Sequence, residues 1–254
     1  MEEEKIVEEP KKEKKKGRGL VKFLVFLVFV AAIVVALGYL FPGLVWTKSL
    51  GVNYTKEDYN SIMEKLNYIK DSVPTGEVAS DYEYKYGEVT NVNVEFTSEE
   101  LTAFFNENRP SYYAVKNVQI KINNDGTIEA VANANVDYFL NEFMSGKYSR
   151  DQIKEEIPAL GLLPKTVNLY IKFSGSVLNN NASANINTVA VQGITIPSNL
   201  INTSEAINIA TTGCNNLMST YNSKTGSTFN KIAIEDSKIK FEGSVPSSLE
   251  RIKK

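Results

Sequence analysis

The longest hydrophobic segment of the chain lies near its N-terminus. No charged residue occurs between Phe23 and Thr47, and the part from Phe23 to Phe41 is almost entirely apolar. As a helix this apolar part would be about 28 Å long, close to the roughly 30 Å thickness of a bilayer's hydrocarbon core. The pattern therefore predicts one transmembrane anchor within residues 20–47.

The charges that flank this segment predict its orientation. Lysine and arginine are concentrated between Lys11 and Lys22, directly before the anchor. Because such residues mark the cytoplasmic side of a membrane span, we expect residues 1–19 to be a disordered, charged cytoplasmic tail and residues 48–254 to be extracytoplasmic. A cleaved signal peptide ending near Ala36-Leu37-Gly38 is the alternative, but its charged and apolar parts would both be unusually long.

Helical periodicity predicts four helices after the anchor. The first begins near Thr55 and has apolar residues at helical spacing as far as Val73. Thr97 to Glu100 and Ser149 to Gln152 have the capping-box pattern that starts a helix. The longest helix is expected from about 199 to 222. Its apolar residues form one stripe: Leu200, Ile207, Ala210, Cys214, Leu217 and Tyr221.

Alternation of apolar and polar residues predicts the strands. A hairpin is expected around the turn Asn123–Gly126, and a second one around residues 235–238. Between them lie two long strands, at 165–178 and 182–197. The alternation of the second strand changes phase near Asn187 and Thr188, which predicts a β-bulge there.

These elements predict an α+β architecture for the outer domain. Residues 48–90 would be a helical or irregular lead-in, and residues 91–254 would form a curled antiparallel sheet packed on the long amphipathic helix. Such packing can leave an apolar groove between sheet and helix. The candidate groove residues are Val167, Leu169, Ile171, Phe173, Ile207, Ala210, Leu217 and Tyr221. The alternative is that these side chains simply form a closed core.

The order of the elements resembles a known family. It comprises a short helix at Ser98–Asn106, a hairpin beginning with Val115–Gly126, the strand Leu163–Phe173, the segment Val189–Pro197 ahead of the long helix, and the closing hairpin Ile232–Pro246. This order resembles bacterial membrane-anchored proteins related to tubular lipid-binding (TULIP-like) domains. The resemblance implies a curled sheet around a long helix and binding of lipid. It implies no catalytic residues.

Composition removes several classes of chemistry. The chain has no histidine and a single cysteine, Cys214. Histidine-dependent hydrolysis, zinc sites built from histidine or cysteine, and intramolecular disulfides are therefore excluded. A net charge of −2, without an extended basic run in the outer domain, disfavours nucleic-acid binding. We expect a protein that is not an enzyme and needs no cofactor; a carboxylate-dependent hydrolase is the remote alternative.

Three further motifs have ordinary structural explanations. The Asn123–Gly126 segment superficially resembles a calcium loop, but Lys121 and Ala132 occupy the positions of its first and last ligands. We therefore expect a turn. Cys214 lies in the apolar stripe and is expected to be buried and inert. Tyr82, Tyr84 and Tyr86 share one face of a predicted strand, which we expect to face the core rather than to form a binding platform.

Taken together, the sequence predicts a single-pass protein of the cell membrane whose outer domain lies in the cell envelope. Its expected function is to bind a membrane lipid or another apolar ligand, without catalysis. The alternative is an interaction or scaffold module that binds another envelope protein, through an exposed sheet edge or the tyrosines near Tyr84.

Overall fold

The computed structural model describes residues 48–70, 82–107, 115–135, 165–195, 198 and 204–254. The predicted tail and anchor lie outside these ranges, as does the helix that the Ser149 capping box predicts. Within the described ranges, no helix combines the length and the hydrophobicity that a membrane span needs.

Three helices and eleven strands make up the described part of the chain. The helices are α1 (Lys56–Lys65), α2 (Ser98–Glu107) and α3 (Ser204–Thr225). The strands are β1 (Ile69–Lys70), β2 (Tyr82–Tyr86), β3 (Val89–Phe96), β4 (Val115–Ile122), β5 (Ile128–Asn135), β6 (Thr166–Leu178), β7 (Asn181–Val191), β8 (Ile194–Thr195), β9 (Thr228–Glu235), β10 (Lys238–Pro246) and β11 (Ser248–Lys253).

The strands form one large and one small sheet, so the predicted α+β class is confirmed. The large sheet has the order β3-β10-β9-β6-β5-β4, and β7 and β8 extend it from β6. The small sheet has the order β1-β11-β2. Every pairing in the large sheet is antiparallel, whereas β1 and β11 are parallel.

Strand β6 joins the two halves of the large sheet. It pairs with β5 over residues 166–173, with β7 over 169–178, and with β9 at Val177 and Leu178. The stretch of β6 that pairs with β7 overlaps the stretches that pair with β5 and with β9. Strands β5 and β9 must therefore lie on the other edge of β6, opposite β7. The hairpins β4-β5 and β9-β10 therefore lie end to end, and the Ser237 hydroxyl contacts Asn124 where their turns meet.

The predicted hairpins and the predicted bulge are confirmed. Ile122 pairs with Ile128 across the Asn123–Gly126 turn, and Ile239 pairs with Ile234 across the second turn. In the β6-β7 pairing, Lys172 faces Thr188 while Phe173 faces Ile186, so Asn187 is the extra residue. One long strand is shorter than predicted. Strand β7 ends at Val191 because Gln192 and Gly193 adopt left-handed backbone conformations and turn the chain into β8.

Two hydrophobic clusters form the core. Ile62, Phe96 and Phe241 join α1 to β3 and β10, whereas Val118, Ile120 and Ile128 lie on β4 and β5. Leu101 of α2 and Ile239 of β10 contact both clusters. The two halves of the large sheet are therefore held together by side-chain packing as well as by β6.

The start of α2 contains a buried ion pair. The predicted capping box is present, because the Glu100 carboxylate accepts from the Thr97 N–H at 2.9 Å and the Thr97 hydroxyl accepts from the Glu100 N–H at 3.2 Å. The carboxylate also accepts from Lys65 at 2.5 Å and from Ser61 at 2.6 Å. Burial alone would raise the pKa of Glu100, but these donors outweigh it and the pKa is lowered.

Helix α2 covers the free edge of β4 through polar side chains. The bonded pairs are Ser98 with Ile122, Thr102 with Ile120, and Asn106 with Val118. Four residues of a helix span about 6 Å along its axis, and two residues of a strand span about 6.6 Å. Helix positions i, i+4 and i+8 therefore lie beside every second residue of the strand. The helix thus satisfies backbone groups that an edge strand otherwise exposes.

Helix α3 covers β7 in a similar way, which overturns the predicted packing of this helix. The Asn215 side chain accepts from the Ala182 N–H at 2.7 Å, and the Thr211 hydroxyl donates to the Ala184 carbonyl at 3.5 Å. The helix therefore turns polar residues to the sheet and lies on β7. Within the described ranges, strands do not wrap it and no sheet is strongly curled. Cys214, expected to be buried, is exposed on α3.

Candidate functional site

The large sheet carries a cavity of about 550 Å³ on the face of β4–β7 where the polar residues alternate. Cross-strand register builds its wall in two rows. One row runs from Gln119 through Val131 and Tyr170 to Ala190, and the other places Asn133 beside Asn168. Because side chains of directly paired residues point to the same face, these residues converge on one space. Pockets for small ligands usually have volumes of this order.

Residues 48–50 lie across one side of this cavity. The Leu50 N–H donates to the Gln119 side-chain oxygen at 2.7 Å, and the Ser49 hydroxyl donates to the same oxygen at 3.3 Å. Lys48 and Ser49 themselves line the cavity. These residues directly follow the predicted anchor, which ends at residue 47.

An ion pair with an aromatic neighbour lies beside the cavity, whose wall contains Lys48 and Tyr170. The Lys48 ammonium lies 3.2 Å from the Glu129 carboxylate and 3.6 Å from the centre of the Tyr170 ring. The Tyr170 hydroxyl donates to the same carboxylate at 2.8 Å, and the Asn123 amide donates to its other oxygen at 3.2 Å. The ammonium is therefore already held by an opposite charge and by a ring face.

The pKa values of this cluster keep its ion pair charged. Burial tends to raise the pKa of Glu129, but hydrogen bonds from Tyr170 and Lys48 outweigh it and the pKa is lowered. Burial tends to lower the pKa of Lys48, but its contacts with Tyr170 and Glu129 outweigh it and the pKa is raised. Burial raises the pKa of Tyr170. Neither partner of the ion pair is thus poised to exchange a proton near neutral pH.

The remaining polar side chains of the cavity are four carboxamides and the hydroxyl of Thr195. The Asn168 side chain donates to Gln192 at 3.0 Å, while the side chains of Asn117 and Asn133 make no hydrogen bond to any residue that the structure describes. Asn117 has a positive φ of 52° at a register shift in β4. Asparagine tolerates this conformation better than most residues. The shift breaks the regular alternation of β4 at the cavity wall.

A second cavity of about 260 Å³ adjoins the first. It lies between α2 and residues 52–54, and its wall also contains Asn117 and Gln119. Gln119 thus stands between the two spaces while it holds residues 49 and 50 in place. The register shift in β4 consequently shapes both cavities.

The structure does not assemble the groove predicted between sheet and helix. Val167 is buried, and Phe173 packs against the Val118 cluster of the core. Ile171 and Ile207 are half-buried, Leu169 lines the cavity, and nothing is described of the Ala210 side chain. Leu217 is 63% exposed. Tyr221 contacts Phe229 and Tyr86 rather than β6. Strand β7 separates the two predicted halves, because α3 lies on β7.

The sequence pattern marks the cavity residues only as the polar positions of alternating strands and does not predict a site there. Asn133, Asn168 and Tyr170 occupy the alternate positions of their strands, opposite the apolar set. Their shared carboxamide chemistry is a signal that could have singled them out. Lys48 had no such signal, because its contact with Glu129 joins residues 81 positions apart.

The other sequence motifs have structural roles. Tyr82 is buried and Tyr86 packs edge-on against Tyr221, whereas Tyr84 is 37% exposed. The expectation that this strand faces the core is thus met at Tyr82 and Tyr86. Residues 123–126 form the expected turn, with Gly126 at a φ of 76°. Among the residues that the structure describes, no three acidic or thiol side chains are grouped so that they could hold a metal ion.

Comparison of the chain with models of protein families, with curated proteins and with solved structures finds no match.

Proposed function

We propose that this protein is a single-pass membrane protein whose outer domain binds a membrane lipid, or another partly apolar ligand, in the cavity beside residues 48–50. The observation that carries the proposal is the position of this cavity. Its wall includes Lys48 and Ser49, which directly follow the predicted anchor. A ligand in the cavity would remain near the bilayer from which it came.

The wall of the cavity suits an amphipathic ligand. Val131 and Ala190 supply apolar surface, and the carboxamides supply hydrogen-bonding groups. Each methylene that moves from water into such a site contributes about 0.8 kcal/mol. A short length of acyl chain with a polar head would match both kinds of surface. This assignment moves the binding site away from the predicted sheet–helix groove.

The proposed function is binding without catalysis. The charged side chain in the described wall of the cavity, Lys48, is paired with Glu129, and the pKa values of both groups are displaced away from neutrality. An effective general acid or base has a pKa near the working pH. The resemblance to tubular lipid-binding domains supports the lipid part of the proposal only through the order of elements, because the curled sheet that it implies does not form.

Native mass spectrometry of the full-length protein tests this proposal. The protein is released from nanodiscs made of bacterial lipid extract, and the mass of retained lipid is measured for wild type, Asn133→Trp and Asn185→Trp. Asn133 lines the cavity on the face that Asn168 and Tyr170 share, whereas Asn185 is exposed on β7 outside the cavity. We expect wild type and Asn185→Trp to retain lipid and Asn133→Trp to lose most of it.

Two results would contradict the proposal. One is a wild-type mass without lipid from a protein whose circular dichroism shows a folded domain; this result would favour the interaction module. The other is equal lipid retention by Asn133→Trp and Asn185→Trp, which would place bound lipid outside this cavity.

A further inference from the structure

Most polar side chains of the 550 Å³ cavity can both donate and accept hydrogen bonds. Four of them are carboxamides, from Asn117, Gln119, Asn133 and Asn168, and Ser49, Tyr170 and Thr195 add hydroxyl groups. The cavity wall in the described part of the chain contains one cationic side chain, Lys48, and no arginine. The ammonium of Lys48 already contacts the Glu129 carboxylate and the Tyr170 ring. The cavity therefore offers paired donors and acceptors rather than free positive charge.

This chemistry distinguishes between classes of polar ligand. A carboxamide has two donors and an acceptor oxygen, so it complements hydroxyl and amide groups, which also donate and accept. A phosphate group only accepts at its ionised oxygens, and proteins usually bind it with arginine, lysine or clustered backbone N–H groups. The Lys48 side chain that an anionic head would meet here is already compensated by the Glu129 carboxylate, 3.2 Å away.

The arrangement of the carboxamides is defined by the fold. Asn133 and Asn168 are directly paired on adjacent strands, where opposite side chains stand about 5 Å apart. Asn117 reaches the same space from the register shift in β4. The side chains of Asn117 and Asn133 have no hydrogen-bonding partner among the described residues. Two or three amides can consequently contact neighbouring hydroxyl groups of one ligand.

We infer that the cavity recognises an uncharged head group rich in hydroxyls, as in a neutral glycolipid, and discriminates against phosphate heads. This inference rests on the proposed function, because it specifies the ligand of the same cavity. Asn133 and Asn117 supply the free donors and acceptors, Asn168 adds an acceptor oxygen, and Glu129 compensates the charge of Lys48.

A competition experiment on the full-length protein tests the inference. Nanodiscs of phosphatidylcholine contain equal molar amounts of diglucosyl diacylglycerol and phosphatidylglycerol with matched acyl chains, and native mass spectrometry gives the ratio of the two lipids retained. We expect about tenfold preference for the glycolipid, the factor that one or two additional net hydrogen bonds provide. Asn133→Leu, which keeps a side chain of similar size, should reduce this preference to near unity.

Two further variants control for folding and for backbone strain. Asn185→Leu makes the same change at an exposed position of β7 outside the cavity and should keep the wild-type preference. Asn117→Gly removes an amide but relieves the positive φ, so the fold should be retained while the preference falls. An unchanged preference in both Asn133→Leu and Asn117→Gly would overturn the inference.

The outcomes separate the inference from the proposed function. Equal retention of both lipids, or an excess of phosphatidylglycerol, would overturn the head-group assignment and leave lipid binding intact. Retention of neither lipid would overturn the proposed function itself. A parallel sample with free maltose in place of the glycolipid tests the source of the sugar. Retained maltose without retained lipid would support recognition of hydroxyl groups and contradict a lipid ligand.

Discussion

The hydroxyl of Thr102 offers a sharp test of how α2 protects the edge of β4. The side chain is 1% exposed, and its oxygen accepts from the Ile120 N–H at 2.9 Å while its proton goes to the Ile120 carbonyl at 3.3 Å. Thr102→Val keeps the shape of the side chain and removes both hydrogen bonds. The perturbation therefore leaves two backbone groups without their partner at an almost fully buried side chain.

The expected loss in the free energy of unfolding follows from the two hydrogen bonds and from the burial of the side chain. A buried polar group that loses its partner costs about 1–3 kcal/mol, so two groups together cost about 2–6 kcal/mol. The methyl group of valine offsets about 0.8 kcal/mol through apolar burial, and relaxation of the helix offsets more. We expect a net loss of about 2–4 kcal/mol. This is a large fraction of the 5–15 kcal/mol that typically stabilises a domain.

The matched control is Thr102→Ser, which keeps the hydroxyl and loses one methyl group at a cost of about 1 kcal/mol. Urea unfolding of the full-length protein in detergent, followed by circular dichroism, gives the stability order. Hydrogen–deuterium exchange of a peptide that covers β4 should be faster in the valine variant. If Thr102→Val proves at least as stable as Thr102→Ser, with unchanged exchange in β4, the side-chain hydrogen bonds do not stabilise this edge.

Three further predictions concern the ion pair, the core and a buried phenol. The pKa of Glu100 is lowered below its ordinary value of 4.5, so the pairing of Glu100 with Lys65 stabilises the fold above pH 4.5, and this stabilisation is lost as the pH falls through the lowered pKa. Glu100→Gln should therefore lower the urea midpoint at neutral pH. The urea midpoint of this variant should also decrease less steeply with falling pH than that of wild type. Ile62→Ala, at a site 1% exposed, should cost about 2–5 kcal/mol, whereas Leu217→Ala, at a site 63% exposed, should change the unfolding free energy by less than about 0.5 kcal/mol. Similar losses for the two variants would contradict the exposed position of Leu217. Burial raises the pKa of Tyr68 to about 12, so an ultraviolet titration should lose a late ionisation step in Tyr68→Phe; an unchanged titration curve would refute this.

The local pattern of apolar and polar residues correctly predicts those elements whose interacting residues are close together in the sequence. The hairpin of Ile122 and Ile128 and the capping box of Thr97 and Glu100 each involve residues within a few positions of one another. The bulge at Asn187 was also predictable from the sequence. A shift in the alternation of apolar and polar residues along a strand would move its side chains to the other face unless one extra residue is inserted. These features follow from backbone geometry and do not depend on distant partners.

The packing of α3 could not be predicted from the local pattern of apolar and polar residues. Its apolar stripe predicted burial of Leu217 and Cys214, on the assumption that a helix turns its most hydrophobic face to a sheet. The neighbour of α3 is a strand edge rather than a sheet face, and backbone N–H and C=O groups on such an edge need hydrogen-bonding partners. Asn215 meets that need, so the polar side of the helix faces the sheet.

The sequence by itself thus determined the α+β class, the hairpins, the caps and the bulge, because each depends on the alternation or spacing of nearby residues. Only the tertiary structure decided which strands share the edges of β6, which side of α3 meets the sheet, and where a cavity opens. Those features depend on pairings between residues far apart in the chain, such as Lys48 with Glu129. No local period of hydrophobic and polar residues encodes such distances, because the partners meet only when the strands of the sheet have assembled.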